Sequence, residues 1–200
     1  MNHSALFIFG LQNDFSSLGN ASVEGFENIS DKIEAISSLW TNLVAINESH
    51  PADHVSFAAC HPWRKPTQVI KIGNISQYLW PIHCVSGTMG IFNPPWLKNK
   101  NPFIVEKGNK KEIDIFSAFD DSNLATPSLS EYLKNHQITH LYFSGFPLEY
   151  EIKETCIDAL RLAYKVTLIT DCILSLDLNK QQGIYDELLA LGANIIPYPV

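Results

Sequence analysis

The residues best suited to chemistry in this 200-residue chain are Glu48, His50 and His54, with His83 further along. A carboxylate with two or three imidazoles suits a divalent transition metal, which takes oxygen and nitrogen donors together. Glu48-Ser49-His50 follows a strand-like run, where alternate side chains point the same way. Histidines grouped on a loop make ordinary hydrogen bonds as often as they ligate, so these residues alone leave a metal open. Glu151 is the second candidate. It falls where a buried run, Leu141-Tyr142-Phe143, turns through Gly145, Phe146 and Pro147 into an amphipathic segment. A helix N-terminus stabilises an anion and lowers the pKa of a cysteine, so such a corner commonly carries a nucleophile. Here it carries an acid.

The elements that must hold these residues follow from periodicity. Short apolar runs at Ala5 to Phe9, Asn42 to Ile46, Phe103 to Val105, His140 to Phe143, Val166 to Ile169 and Ala193 to Ile196 read as strands. Apolar residues at three-to-four spacing make Ile29 to Leu39, Ser128 to Asn135, Tyr150 to Ala163 and Lys180 to Leu191 helices. Strands alternating with helices predict an α/β chain: one three-layer α/β/α domain over residues 1–200, with a central, mostly parallel sheet. Ligands of such sheets bind beyond the carboxyl ends of the strands, which draws attention to Gly10 to Phe15, Glu48 to His54, Lys107 and Phe146 to Glu151. The stretch from Ser56 to Pro102 has little periodicity, and a loop of that length in a compact domain is usually functional.

Composition narrows the function. At 46% hydrophobic and 18% charged, the chain can bury a substantial core. A formal net charge of -7, with fourteen scattered basic residues, argues against nucleic acid and for a small-molecule or protein partner. No apolar run approaches the roughly 18 residues of a membrane span, and no secretory signal is evident, so a cytoplasmic protein is expected. Four widely spaced cysteines, Cys60, Cys84, Cys156 and Cys172, predict reduced thiols rather than disulfides or a cysteine zinc site.

Longer motifs carry a resemblance. Trp80-Pro81-Ile82-His83-Cys84-Val85-Ser86-Gly87-Thr88 and His50-Pro51-Ala52-Asp53-His54-Val55-Ser56-Phe57 look like the metal and substrate loops of the nicotinamidase/pyrazinamidase branch of the isochorismatase-like cysteine hydrolases. Leu11-Gln12-Asn13-Asp14-Phe15, Lys107-Gly108, Ser117-Ala118-Phe119 and the segment from Lys153 to Leu160 match in the same order, so the resemblance spans nearly the whole chain. It implies hydrolysis of nicotinamide or pyrazinamide by a cysteine thiolate, with an aspartate, a lysine and a divalent metal that binds the pyridine nitrogen. The implied metal ligands are Glu48, where the family has aspartate, His50 and His83, with His54 as a candidate fourth. Zinc leads, with iron or manganese as alternatives. Phe15 and Trp80 match the aromatics that flank the pyridine ring of a small pyridine carboxamide, and a homo-oligomer is compatible with the resemblance.

The catalytic half departs from that pattern. The family aspartate falls on Gly10 and the family cysteine on Glu151; Lys107 alone remains of the three. Pro147 takes the place of an alanine whose N–H helps form the oxyanion hole beside Phe146, and proline has no N–H. Cys156 cannot stand in for the nucleophile, because five residues along a helix turn it about 140° away. The expectation is a metal- and pyridine-binding pseudoenzyme in which Glu151 pairs with Lys107. The alternative is an active amide hydrolase in which Glu151 and a metal activate water. On the blander reading, Glu151 is only an acid complementing a helix dipole.

Overall fold

The computed structural model describes residues 3–73, 75–120 and 123–198. In chain order its elements are β1 (Ser4–Phe9), α1 (Phe26–Ser37), β2 (Asn42–Glu48), β3 (Val69–Ile72), β4 (Ile75–Tyr78), α2 (Pro95–Asn99), β5 (Phe103–Lys107), α3 (Leu129–Asn135), β6 (His140–Gly145), α4 (Lys153–Arg161), β7 (Lys165–Ile173), α5 (Leu178–Ala190) and β8 (Asn194–Ile196). Six strands form one sheet in the order β5-β2-β1-β6-β7-β8, and every pairing in it is parallel. The fold is therefore the α/β/α sandwich that the alternating pattern predicts.

Burial explains why β1 is central. All six of its residues are buried, and its alternating side chains feed two cores on opposite faces of the sheet. Ala5, Phe7 and Phe9 pack with Leu133 of α3, Cys156 of α4 and Leu188 of α5, while Leu6 and Ile8 pack with Ile29, Ile33 and Ile36 of α1. A strand covered on both faces reads as a continuous apolar run, as SALFIF does. α3 begins at the predicted place because Ser128 and Glu131 form a reciprocal capping box. Among the described residues, no helix is long and apolar enough to cross a membrane.

Two expectations need correction. The stretch from Ser56 to Pro102 is not structureless, since it contains the antiparallel hairpin β3–β4 and the short α2. β3 alternates between exposed and half-buried residues, so it lacks the apolar signal of the central strands. The helix expected to run from Tyr150 to Ala163 splits into a wide π-type turn over Leu148–Ile152 followed by α4. Glu151 thus lies inside that turn and is buried at 2% exposure, which excludes the surface dipole-complementing reading.

The sheet order reverses at β1, with β2 on one side and β6 on the other. Open α/β sheets leave a crevice at that point. Glu48 and Lys107 are the last residues of β2 and β5, and Gly10 and the turn carrying Glu151 lie just beyond the carboxyl ends of β1 and β6.

Candidate active site and metal centre

Glu48 closes β2 and is locked there by Gln12, whose amide nitrogen donates to the Glu48 carbonyl (2.8 Å) and whose oxygen accepts the Glu48 N–H (2.7 Å). The His50 and His83 loops are joined by the backbone: His50 N–H donates to Cys84 O (2.9 Å) and Ser86 N–H to His50 O (2.8 Å). Asp14 braces the second loop by accepting the Cys84 N–H at 2.7 Å, where Cys84 adopts φ 45°.

The two imidazoles converge on one carboxylate oxygen. His50 Nε2 lies 3.1 Å and His83 Nε2 2.6 Å from Glu48 Oε2. Their Nδ1 atoms sit on carbonyls, that of His50 on Gly108 O (2.9 Å) and that of His83 on Pro81 O (2.8 Å). A carbonyl only accepts, so each ring carries its proton at Nδ1 and presents Nε2 inward. This is the outer-shell arrangement that orients metal-binding histidines. A lone pair facing a carboxylate at such distances needs a cation between them, either a proton or a metal ion. One oxygen or nitrogen from each of Glu48, His50 and His83 lies within 4.8 Å of the other two, so the set fits a divalent ion. Burial opposes a charge on His83, but the Glu48 carboxylate outweighs it and raises the pKa. Gly108 is required: a Cβ there would lie 2.3 Å from His50 Cε1, and φ is +76°.

His54 does not join the cluster. Its Nδ1 is bonded to Ser56 Oγ (2.8 Å) and its Nε2 to Ile113 O (3.2 Å), so both ring nitrogens are taken. It stacks beside His50 at 4.2 Å between ring centroids. Burial, then the neighbouring His50 ring, lower its pKa.

Lys107 is paired with Glu48 across β2 and β5 in the sheet register and is fully buried. Its ammonium donates to Glu151 Oε1 at 2.6 Å and reaches Glu48 Oε1 at 3.4 Å. Burial alone would lower its pKa; the two carboxyl groups reverse that and hold the lysine charged. The carboxylates diverge. Burial raises Glu48, but Lys107, a hydrogen bond from the Glu151 carboxyl and the two histidines more than compensate and hold it well below the usual range. Burial, reinforced by the Glu48 charge against the pull of Lys107, pushes Glu151 well above that range. Glu48 is the member that stays ionised, and Lys107 has an anionic partner whichever form Glu151 takes.

Gly10, Phe146, Pro147 and Cys156, the other residues singled out by the resemblance, lie around or apart from this cluster. Gly10 has φ +58°, and a Cβ built on it would lie 2.5 Å from the Phe146 carbonyl oxygen. An aspartate there is excluded unless the backbone moves. The Phe146–Pro147 bond is cis, and the Phe146 N–H is spent on Phe9 O at 3.0 Å. Pro147 has no N–H, so neither residue donates into the site. Cys156 packs in the core among the helices, where burial pushes its thiol up to about 12.

The site opens into a cavity with about 220 Å³ of empty space, open solvent at its mouth included, lined by Glu48, His50, Trp80, His83, Pro147 and Glu151 among others. Sequence reasoning missed Asp114, Phe116 and Tyr150, which line it as well. Position past the end of β5 was the available signal for Asp114, which accepts from Gln77 Nε2 at 2.7 Å. Half-buried rings form the rim: Trp80 meets Tyr78 (4.8 Å), Tyr78 meets Tyr150 (5.9 Å) and Tyr150 stacks on Phe116 (5.1 Å). Phe15 lies behind them, packed on His83 at 5.3 Å, and is not among the lining residues.

Relatives share this architecture. The Isochorismatase domain model matches residues 4–197. A nicotinamidase of Acinetobacter baylyi is 32% identical over 198 residues, 98% of this chain and 92% of the relative. The solved nicotinamidase/pyrazinamidase of Acinetobacter baumanii superposes with a TM-score of 0.88 at 30% identity, covering 99% of this chain and 97% of that one. The yeast nicotinamidase bound to the inhibitor nicotinaldehyde gives 0.86 at 28%, covering 97% and 99%. Near-complete coverage, a shared parallel sheet and motifs in one order place this chain in the isochorismatase family, within its nicotinamidase branch.

Proposed function

We propose that the protein is a nicotinamidase-like pseudoenzyme, one domain over residues 1–200, that binds a small pyridine carboxamide without the family's covalent chemistry. The carrying observation is the contrast within one site: Glu48, His50 and His83 keep a metal-ready geometry, while the nucleophile position holds Glu151 tied to Lys107. In this reading Glu48, His50 and His83 hold a divalent ion, with zinc leading, and His54 supports His50 from behind. A bound ion would supply a Lewis acid and an anchor for a ring nitrogen. Trp80, with Tyr150 and Phe116, offers aromatic surface to the ligand, and Phe15 stiffens His83. An entering ring displaces part of the aromatic rim.

Covalent attack needs a nucleophile, a base and oxyanion donors. Glu151 is a poor nucleophile toward an unactivated amide, Gly10 has no side chain to accept a proton, and Pro147 cannot donate. Unpaired thiols at all four cysteines accord with a cytoplasmic protein.

Calorimetry with Zn²⁺, Mn²⁺ or Fe²⁺, then with nicotinamide, tests the binding half; failure of both metal and ligand to bind removes it. Ammonia release from nicotinamide and pyrazinamide tests the reaction half, with rates expected at the uncatalysed background. Restoring Glu151→Cys alone should not bring turnover, since Gly10 still lacks the base. Measured turnover that disappears in Glu151→Gln would instead assign a hydrolase in which Glu151 takes a proton from water.

A further inference from the structure

A second cavity lies across the sheet from the metal-ready cluster. In the register of β2 against β5, Glu48 pairs with Lys107 and Asn47 with Glu106, and successive residues of a strand point to opposite faces. Glu48 and Lys107 therefore share one face, while Asn47, Ile104 and Glu106 share the other. The cavity on that other face has about 900 Å³ of empty space, open solvent at its mouth included, and is lined by Asn47, Phe92, Lys98, Pro102, Ile104 and Glu106 among others. Phe92 and Ile104 are 45% and 44% exposed, so its wall is apolar and open to a ligand.

Hydrogen bonds hold its shape. Asn47 and Asn93 exchange reciprocal side-chain bonds at 2.9 Å each, and Asn93 Nδ2 also donates to Leu11 O at 2.8 Å. The Asn13 N–H donates to Phe92 O at 2.9 Å, and the backbone of Glu106 exchanges bonds of 2.9 and 2.7 Å with that of Leu124. A preformed cavity of this size, with apolar walls and a few placed polar groups, is the usual form of a small-molecule site. Charge then narrows the ligand. The Lys98 ammonium stands 5.8 Å from the centroid of the Phe92 ring, which holds a cation beside the apolar wall. Glu106 brings an acid to the same cavity. A monoanion meets that acid and a monocation meets the lysine, whereas a zwitterion finds a partner for each of its charges.

We propose that this cavity is a second ligand site, for a zwitterionic α-amino acid with an aromatic side chain. The carboxylate pairs with Lys98, the ammonium group pairs with Glu106, and the ring packs on Phe92, Pro102 and Ile104. The site needs neither a metal nor a pyridine carboxamide, so it stands apart from the reading of the first cavity.

Isothermal calorimetry on the full chain at neutral pH tests it with L-phenylalanine, 3-phenylpropionate and phenethylamine, since the last two each lack one of the charges. L-Phenylalanine is expected to bind with a Kd on the order of 0.1–1 mM, as suits a ligand of about twelve heavy atoms. Each of the others should bind about three- to fivefold more weakly, the worth of one partly exposed ion pair. In Glu106→Gln the advantage over 3-phenylpropionate should vanish while that over phenethylamine remains, and Lys98→Gln should do the reverse. The ligand comparison in the unaltered chain stands even if a variant folds poorly. No saturable binding of L-phenylalanine, equal binding of all three, or discrimination unchanged in both variants overturns the proposal.

Discussion

The two halves of the site differ in how their polar atoms are held. Around Glu48, each imidazole has a carbonyl behind it and a carboxylate oxygen in front, and Gln12 clamps the backbone of the acid. Around Glu151, Phe146 O lies where a Gly10 side chain would begin, and the Lys107 ammonium donates to the Glu151 carboxyl. The first half is preorganised to receive a cation, whereas the second is arranged to neutralise itself. A fold can thus set a cation-ready cluster beside a self-paired one, with Glu48 and Lys107 in contact with both.

The largest effect should come from breaking the self-neutralising half. Glu151→Ala removes the nearer partner of a fully buried lysine, and breaking a buried pair this way costs about 3 kcal/mol, toward the low end because Glu48 remains in reach. Chemical denaturation at neutral pH measures it, and unchanged stability would mean that Glu48 alone satisfies Lys107. On the metal-ready half, His83→Ala should weaken Zn²⁺ binding by about 100-fold or more. A chelator-competition titration reads this directly; equal affinity would move the ion elsewhere.

A smaller effect sharpens the comparison through pH. The His83 pKa is raised above 6.5 in the folded metal-free chain. Its stabilising contribution is therefore complete below 6.5 and is lost as pH climbs through the raised folded value. Metal binding needs the same nitrogen without its proton, so Zn²⁺-dependent stabilisation should grow over that window. Thermal melts from pH 6 to pH 8.5 with and without Zn²⁺ should diverge steadily as pH rises. Parallel curves would remove His83 from the ligand set.

Much of this was readable before the fold. The strands of the central sheet announce themselves because a strand buried on both faces must be apolar throughout, as in β1 and at Leu43 to Ile46. The hairpin β3–β4 did not, since Val69–Ile72 is largely exposed and no core imposes a pattern on it. Likewise the wide turn over Leu148–Ile152 hides within a helical periodicity, because one extra residue per turn barely alters which positions are apolar.

The residue types alone determined the chemical inventory: a carboxylate and imidazoles fit to ligate, a lysine, and an acid and a glycine at the positions where the resemblance implies a thiol and a carboxylate. Tertiary structure decided the rest by assigning partners. His50 and His54 are of one type in the sequence, but carbonyls from distant segments, with the nearby Ser56 hydroxyl, turn Nε2 of the first toward Glu48 and occupy both nitrogens of the second. The same holds for Glu151, whose ion pair exists only because β5 brings Lys107 against the turn after β6.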